Sequence, residues 1–356
     1  MGMCKQNYEK EPEKEIEIFN DSEFKYDFQF INEIKNNNIK GDHLINNKFI
    51  VFKSIDDIFC LVYTNNNYSI AFYNLIDNKK MSEIKNAHFN VISNYRHILD
   101  ISNQRDLLLS VAFHVIKVWN INTLEYLYSF DFSNIYQNLA GYFQSSCFIN
   151  IDSQILIIFS CNSTSYNPIK IYDLKGNKIK EIKDSKNDTE LIEVFYDNNK
   201  SHQYYILAGN VGNCKSFIFT KNELFHIYKE GTNSYMHNSI VILNKGEITK
   251  LIESSSDRNV RIWNFHSGEL LNKYVFCQNI YSLCLLTNNY LLVGNITTPI
   301  AIIDLKIGKM IANSIEIKDR PSFIKIIKIP NNAEYLITDE RNYNIKIWKI
   351  IKKIIK

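Results

Sequence analysis

The chain has little of what most specialised protein classes require. Eleven Gly and five Pro among 356 residues exclude collagen-like and Pro-rich architectures. Apolar stretches such as Ile155 to Cys161 stop well short of the roughly 20 residues that a membrane-spanning helix needs. The phosphate-binding Gly-rich loop, the H-E-x-x-H helix and the G-x-S-x-G elbow are all missing, which removes the commonest sequence signals of catalysis. The seven cysteines (Cys4, Cys60, Cys147, Cys161, Cys214, Cys277, Cys284) are odd in number and scattered, with no C-x-x-C pair. That pattern argues against a disulfide framework and a zinc site, and predicts buried, reduced thiols. A net charge of +3 is too small to point to nucleic acid. Arginine is scarce, with residues only at 96, 105, 258, 261, 320 and 341.

What is present is an ordinary folded composition, 45% hydrophobic and 22% charged, with Ile and Asn far above average usage. Asn-x-Ser/Thr triplets such as Asn67-Tyr68-Ser69 are expected by chance in so Asn-rich a chain. The polar opening from Met1 to Glu23 predicts no secretory signal, so the expected location is cytoplasmic. Self-similarity is the strongest signal. Ile116-Lys117-Val118-Trp119-Asn120, Ile169-Lys170-Ile171-Tyr172-Asp173, Val260-Arg261-Ile262-Trp263-Asn264 and Ile345-Lys346-Ile347-Trp348-Lys349 are near copies. Weaker copies put the same position at Tyr73, Phe217 and Ile303, so the seven recur at intervals of 40 to 53 residues. Each period holds four short apolar-alternating runs; in the fifth they cover 239–243, 248–255, 260–265 and 270–276. Seven four-strand units predict an all-β, seven-bladed propeller with antiparallel blades. The run 28–34, lying just before the first unit, is expected to supply the fourth strand of the last blade and so close the ring.

These residues resemble the WD-repeat (G-protein β-like) family over about residues 28–350, most closely in the fifth unit, Ser254-Ser255-Ser256-Asp257-Arg258-Asn259-Val260-Arg261-Ile262-Trp263-Asn264. The resemblance implies a structural tetrad of His237, Ser255, Asp257 and Trp263, in which Asp holds the imidazole, the imidazole holds the hydroxyl and the hydroxyl meets the indole N–H. His43 and His88 stand in comparable positions, while Phe113 or His114 occupies the place of Asp in the second unit. Most units depart from the full set, which marks a divergent member. No two arginines are adjacent, unlike phosphoinositide-binding propellers. Asn122, Lys175, His266 and Lys306 stand where cullin-recruiting propellers carry Arg.

Four arginines, Arg96, Arg258, Arg320 and Arg341, map to loops expected on one face, with Tyr95 and Tyr343 beside them and Tyr235 and Met236 further round. Arg and Tyr anchor interfaces because a planar fork or ring can be desolvated with its hydrogen bonds kept. The expected function is therefore a non-enzymatic scaffold, or a subunit of a larger assembly. Its expected partner is another protein, in the form of an acidic or phosphorylated peptide; the chain itself is expected to be a monomer within a hetero-complex. No catalytic residue, cofactor, metal or nucleic acid is expected; Glu253, Asp339 and Glu340 are read as structural or solvated carboxylates. Residues 1–27 read as a charged flexible arm and 351–356 as a basic amphipathic tail. That tail, with acylation at Gly2 and Cys4, would support an alternative membrane-associated adaptor.

Overall fold

The computed structural model describes residues 20–21, 24–35, 49–65, 68–90, 92–112, 115–131, 143–161, 168–182, 189–230, 235–244, 248–294, 300–312, 321, 323–329, 333–339 and 344–354. They form seven antiparallel sheets. In the second blade the strands are Ile92–Asp100, Arg105–Ala112, Val115–Asn120 and Glu125–Asp131, paired in simple succession. The first strands of successive blades neighbour one another around the whole ring, so they line the centre.

Burial follows this radial order. The second strands are apolar on both faces: every residue of Asp106–Ala112 is buried, because a middle strand is sandwiched between two neighbouring sheets. Fourth strands such as Lys79–Ile84 begin exposed and become buried only at their ends. Seven hydrophobic clusters fill the seven blade-to-blade interfaces. Val62 and Phe72 of the first blade meet Leu108 and Trp119 of the second, and the circuit ends where Ile337 and Ile347 of the seventh meet Leu61 and Ala71 of the first. Each such fully buried Val, Leu, Ile or Phe side chain contributes roughly 1.5–3 kcal/mol by leaving water.

Closure follows the expected plan. Phe24–Ile34 pairs antiparallel with Ile345–Ile354, placing Phe30 opposite Trp348. Both strands run beyond the expected limits of 28 and 350, and residues 351–354 of the tail continue the last strand. Lys352 there pairs with Glu334 at 3.0 Å. Asn32 then reaches the next blade, donating from Nδ2 to Tyr73 Oη at 2.8 Å and to Asn78 Oδ1 at 2.7 Å. A two-residue strand, Asn20–Asp21, folds back on Phe24 and Lys25 and makes this a five-stranded sheet.

One irregularity repeats in all seven blades. The ladder between third and fourth strands slips beside the Tyr73, Trp119, Tyr172, Phe217, Trp263, Ile303 or Trp348 position. The residues skipped on the outer strand are Met81, Leu127, Ile179, Phe225, Leu271, Ile311 and Ile31. Such bulges twist an edge away from regular pairing, which protects it from adding a foreign strand.

Candidate interaction face

The loops joining successive blades, and those joining second to third strands, emerge on one face. The fifth blade supplies a well-braced part of it. Asn259–Asn264 is buried along nearly its whole length, yet carries Arg261. A buried guanidinium requires counter-charges and hydrogen-bond acceptors, and the sequence provides them from three elements. Arg261 Nε donates to Glu230 Oε2 at 2.6 Å in the loop entering the blade. Its Nη1 donates to Ser255 Oγ at 2.9 Å, and its Nη2 to Asp257 Oδ2 in the turn. The guanidinium also lies 4.4 Å from the centre of the Tyr235 ring, and Lys273 reaches Glu230 at 2.7 Å. Burial pushes the Asp257 carboxyl up, but the bonds from Arg261, Ser255 and Asn259 outweigh it and hold the pKa at about 2.

The four tetrad residues share this blade, but their hydrogen bonds run differently from the family pattern. Ser255 Oγ donates directly to Asp257 Oδ1 at 2.5 Å. His237 Nδ1 lies 2.5 Å from Glu253 Oε2, both side chains fully buried, and Trp263 Nε1 donates to Glu253 Oε1 at 3.3 Å. Glu253 therefore takes the hydroxyl's place and joins His237 to Trp263. The reason is register. Trp263 lies opposite Leu251, so its diagonal neighbour on the same face is Glu253, with Ser255 one step too far. The other two tryptophans obey the same rule: Trp119 faces Leu108 and donates to Ser110 Oγ at 2.8 Å, and Trp348 faces Leu336 and donates to Thr338 Oγ1 at 3.1 Å. In the second blade His88 Nε2 lies 2.7 Å from the same Ser110 Oγ, so the His–Ser–Trp relay stands there. Phe113, His114 and His43 lie outside the described residues. Glu253 and Arg261 were legible in part, since a charged residue in an otherwise buried strand calls for an ionic partner.

Of the residues expected on the loop face, two lie elsewhere. Arg96 projects from the inner strand of the second blade toward the ring's centre. There Nε donates to Ser146 O at 3.1 Å, and Nη2 to Ile192 O at 3.2 Å and Glu193 Oε1 at 2.5 Å. It staples three consecutive blades. Tyr95, on the opposite side of that strand, is buried and bonded to Thr64 at 2.8 Å between the first two blades; burial raises its phenol pKa. Alternation along one strand sends the two side chains to opposite neighbours, and both are bonded within the ring. Arg258 is exposed on the expected face. Arg320, Arg341 and Tyr343 lie outside the described residues, as do Gly2 and Cys4.

Arg258 is one of eleven non-Gly described residues with a positive φ. It ends the turn between second and third strands at φ 68°, a left-handed conformation that favours Gly. The fourth blade uses Gly212 there, at φ 81°, and the first uses Tyr68, at φ 55°. Beside Arg258 stand exposed Met236 (48%) and Val275 (69%), tied to the turn through Ser256 N–H donating to Met236 O at 2.8 Å and Phe276 N–H donating to Arg258 O at 2.8 Å. Among the described residues no group of His, Cys, Asp and Glu is placed to hold a metal ion, and no helix is long and apolar enough to cross a membrane. No protein-family model matches the chain, and no curated protein matches it either.

Proposed function

We propose that the protein is a WD-repeat-like scaffold without catalytic activity of its own, binding a partner protein through the loop face of its propeller. The observation that carries this reading is Arg258. A long cationic side chain, exposed in a turn whose backbone bonds to Met236 and Phe276, occupies a backbone position where Gly would be unstrained, beside a buried ion network that braces that turn. Keeping a bulky residue in that conformation costs about 1–2 kcal/mol, and strain of this kind is retained where a side chain has a task. An exposed guanidinium with exposed Met236 and Val275 on the adjoining strand ends suits an acidic or phosphorylated segment, with charge-assisted hydrogen bonds at its centre and apolar contact at its rim. The His88–Ser110–Trp119 relay supports the family likeness.

The test is affinity purification of the tagged full chain with quantitative mass spectrometry, comparing wild type with a combined Arg258→Glu, Arg320→Glu, Arg341→Glu variant of equal circular dichroism. The reading expects a stoichiometric partner that the variant loses. A partner kept in full by the variant would move the site off this face.

A further inference from the structure

We propose that Phe89 anchors a second docking surface on the loop face, at the junction of the first two blades, for an extended acidic segment of a partner protein. The proposal deepens the scaffold reading above and rests on it.

Phe89 is 94% exposed, whereas the two residues before it, Ala87 and His88, are buried. A freely moving loop would not alternate so sharply. Four contacts hold the backbone beneath the ring. Lys117 Nζ donates to Ala87 O at 2.6 Å, His88 joins the Ser110–Trp119 relay at 2.7 Å, His88 N–H donates to Tyr68 O at 3.3 Å, and Asn86 N–H donates to Ser69 Oγ at 3.2 Å. The result is a large apolar side chain set in water on a fixed pedestal. Anchors fixed before binding lose little entropy when a partner covers them, and an isolated core-type failure of burial would not come with such support.

The surroundings indicate which partner fits. Tyr68, whose backbone meets His88, is itself part-exposed at 37% and holds the left-handed turn position that Arg258 holds on the fifth blade. The Lys117 ammonium lies 5.9 Å from the centre of the Phe89 ring, and exposed Lys85 starts the same loop. Burial lowers the Lys117 pKa, with Asp131 acting against it, and its Nζ is engaged by Ala87 O; Lys85, exposed and within the field of Glu83, is the cation a partner would meet first. Two exposed aromatic rings, with the Lys117 ammonium beside Phe89 and an exposed lysine in the same loop, match a segment that alternates large apolar side chains with Asp or Glu.

The full chain would be immobilised and used to select from a phage-displayed library of random linear peptides. Enriched peptides would then be synthesised and measured by fluorescence anisotropy on wild type, Phe89→Ala, Lys85→Glu and Arg258→Glu. The expected peptides combine Asp or Glu with large apolar residues. They should bind Phe89→Ala about tenfold more weakly, a loss typical of an interface anchor. Lys85→Glu should weaken them too, and Arg258→Glu should not. Because Phe89 is solvent-exposed, Phe89→Ala should keep the wild-type thermal unfolding curve, so a loss of binding is not a loss of fold. No enrichment, enrichment of basic peptides, or binding indifferent to Phe89 would overturn the proposal. Phe89-dependent flotation with phosphatidylserine vesicles, or Phe89-dependent dimerisation, would also overturn it by assigning a different occupant. If the combined arginine variant loses its partner while Phe89→Ala affects nothing, the scaffold reading stands and this surface alone is refuted.

Discussion

A guanidinium inside a protein is stable only when each of its faces is answered, and Arg261 is answered by Glu230, Ser255, Asp257 and the Tyr235 ring. Arg261→Ala removes the cation from half-buried Glu230 and Asp257 and from fully buried Glu253, whose Oε1 lies 3.7 Å from Nη1, so chemical denaturation should show a loss of about 3–5 kcal/mol. Arg261→Met, which fills the volume, should not do better, because the carboxylates remain. His88 gives a pH-dependent counterpart. Burial, with help from Lys117, lowers its pKa from 6.5 to about 3. The unfolded imidazole therefore takes up a proton across that window while the folded one stays neutral. Stability from this group is complete above about pH 6.5 and declines as the pH falls toward 3. Between pH 7 and 4.5 the wild type should lose about 2–3 kcal/mol more than His88→Gln, measured by urea unfolding at each pH. Equal slopes for the two proteins would contradict a buried neutral His88. At the ring's centre, Arg96→Ala should lower the thermal midpoint, since it frees two inner-strand carbonyls and Glu193.

At the level of strands, the third strand of each blade was the most legible element. It is buried on alternate faces with an aromatic or Ile at a fixed place, so its copies stay recognisable. Outer strands were harder to read, because the recurrent bulge adds a residue and breaks the period of two. The bulge also explains why the count of four strands was right while their limits moved. The expected tetrad misplaced the hydroxyl by two residues because spacing along one strand does not reveal the ladder offset that sets Glu253 beside Trp263. Arg96 and Tyr95 were assigned to a loop because their strand, Ile92–Asp100, starts earlier than its polar residues suggest. Phe89 gave no signal at all: a lone Phe between His88 and Asn90 reads like any other apolar residue until its exposure is known. The closing strand is testable as an element. Deleting residues 1–34 removes the partner of Ile345–Ile354 and the Asn32 link to Tyr73 and Asn78. That leaves a long unpaired edge, so size-exclusion chromatography should show the deletion variant in larger species than the full chain.

At the scale of the molecule, seven clusters of buried side chains join seven sheets into one ring. Such a ring holds its loops rigidly enough for a few exposed side chains to act as preset contacts. Arg258, Met236 and Val275 stand on the fifth blade and Tyr68 and Phe89 at the first two, at separate places on the ring but on the same face. The proposed partner binds this face, and not the opposite turns or the rim of outer strands. Hydrogen–deuterium exchange of the full chain, free and with the purified partner, tests it most directly. The prediction is slowed exchange at 85–90 and 256–258, with turns on the other face, such as 101–104 and 265–268, unchanged. Protection confined to those opposite turns or to the outer strands, with 85–90 and 256–258 exchanging as in the free protein, would contradict it.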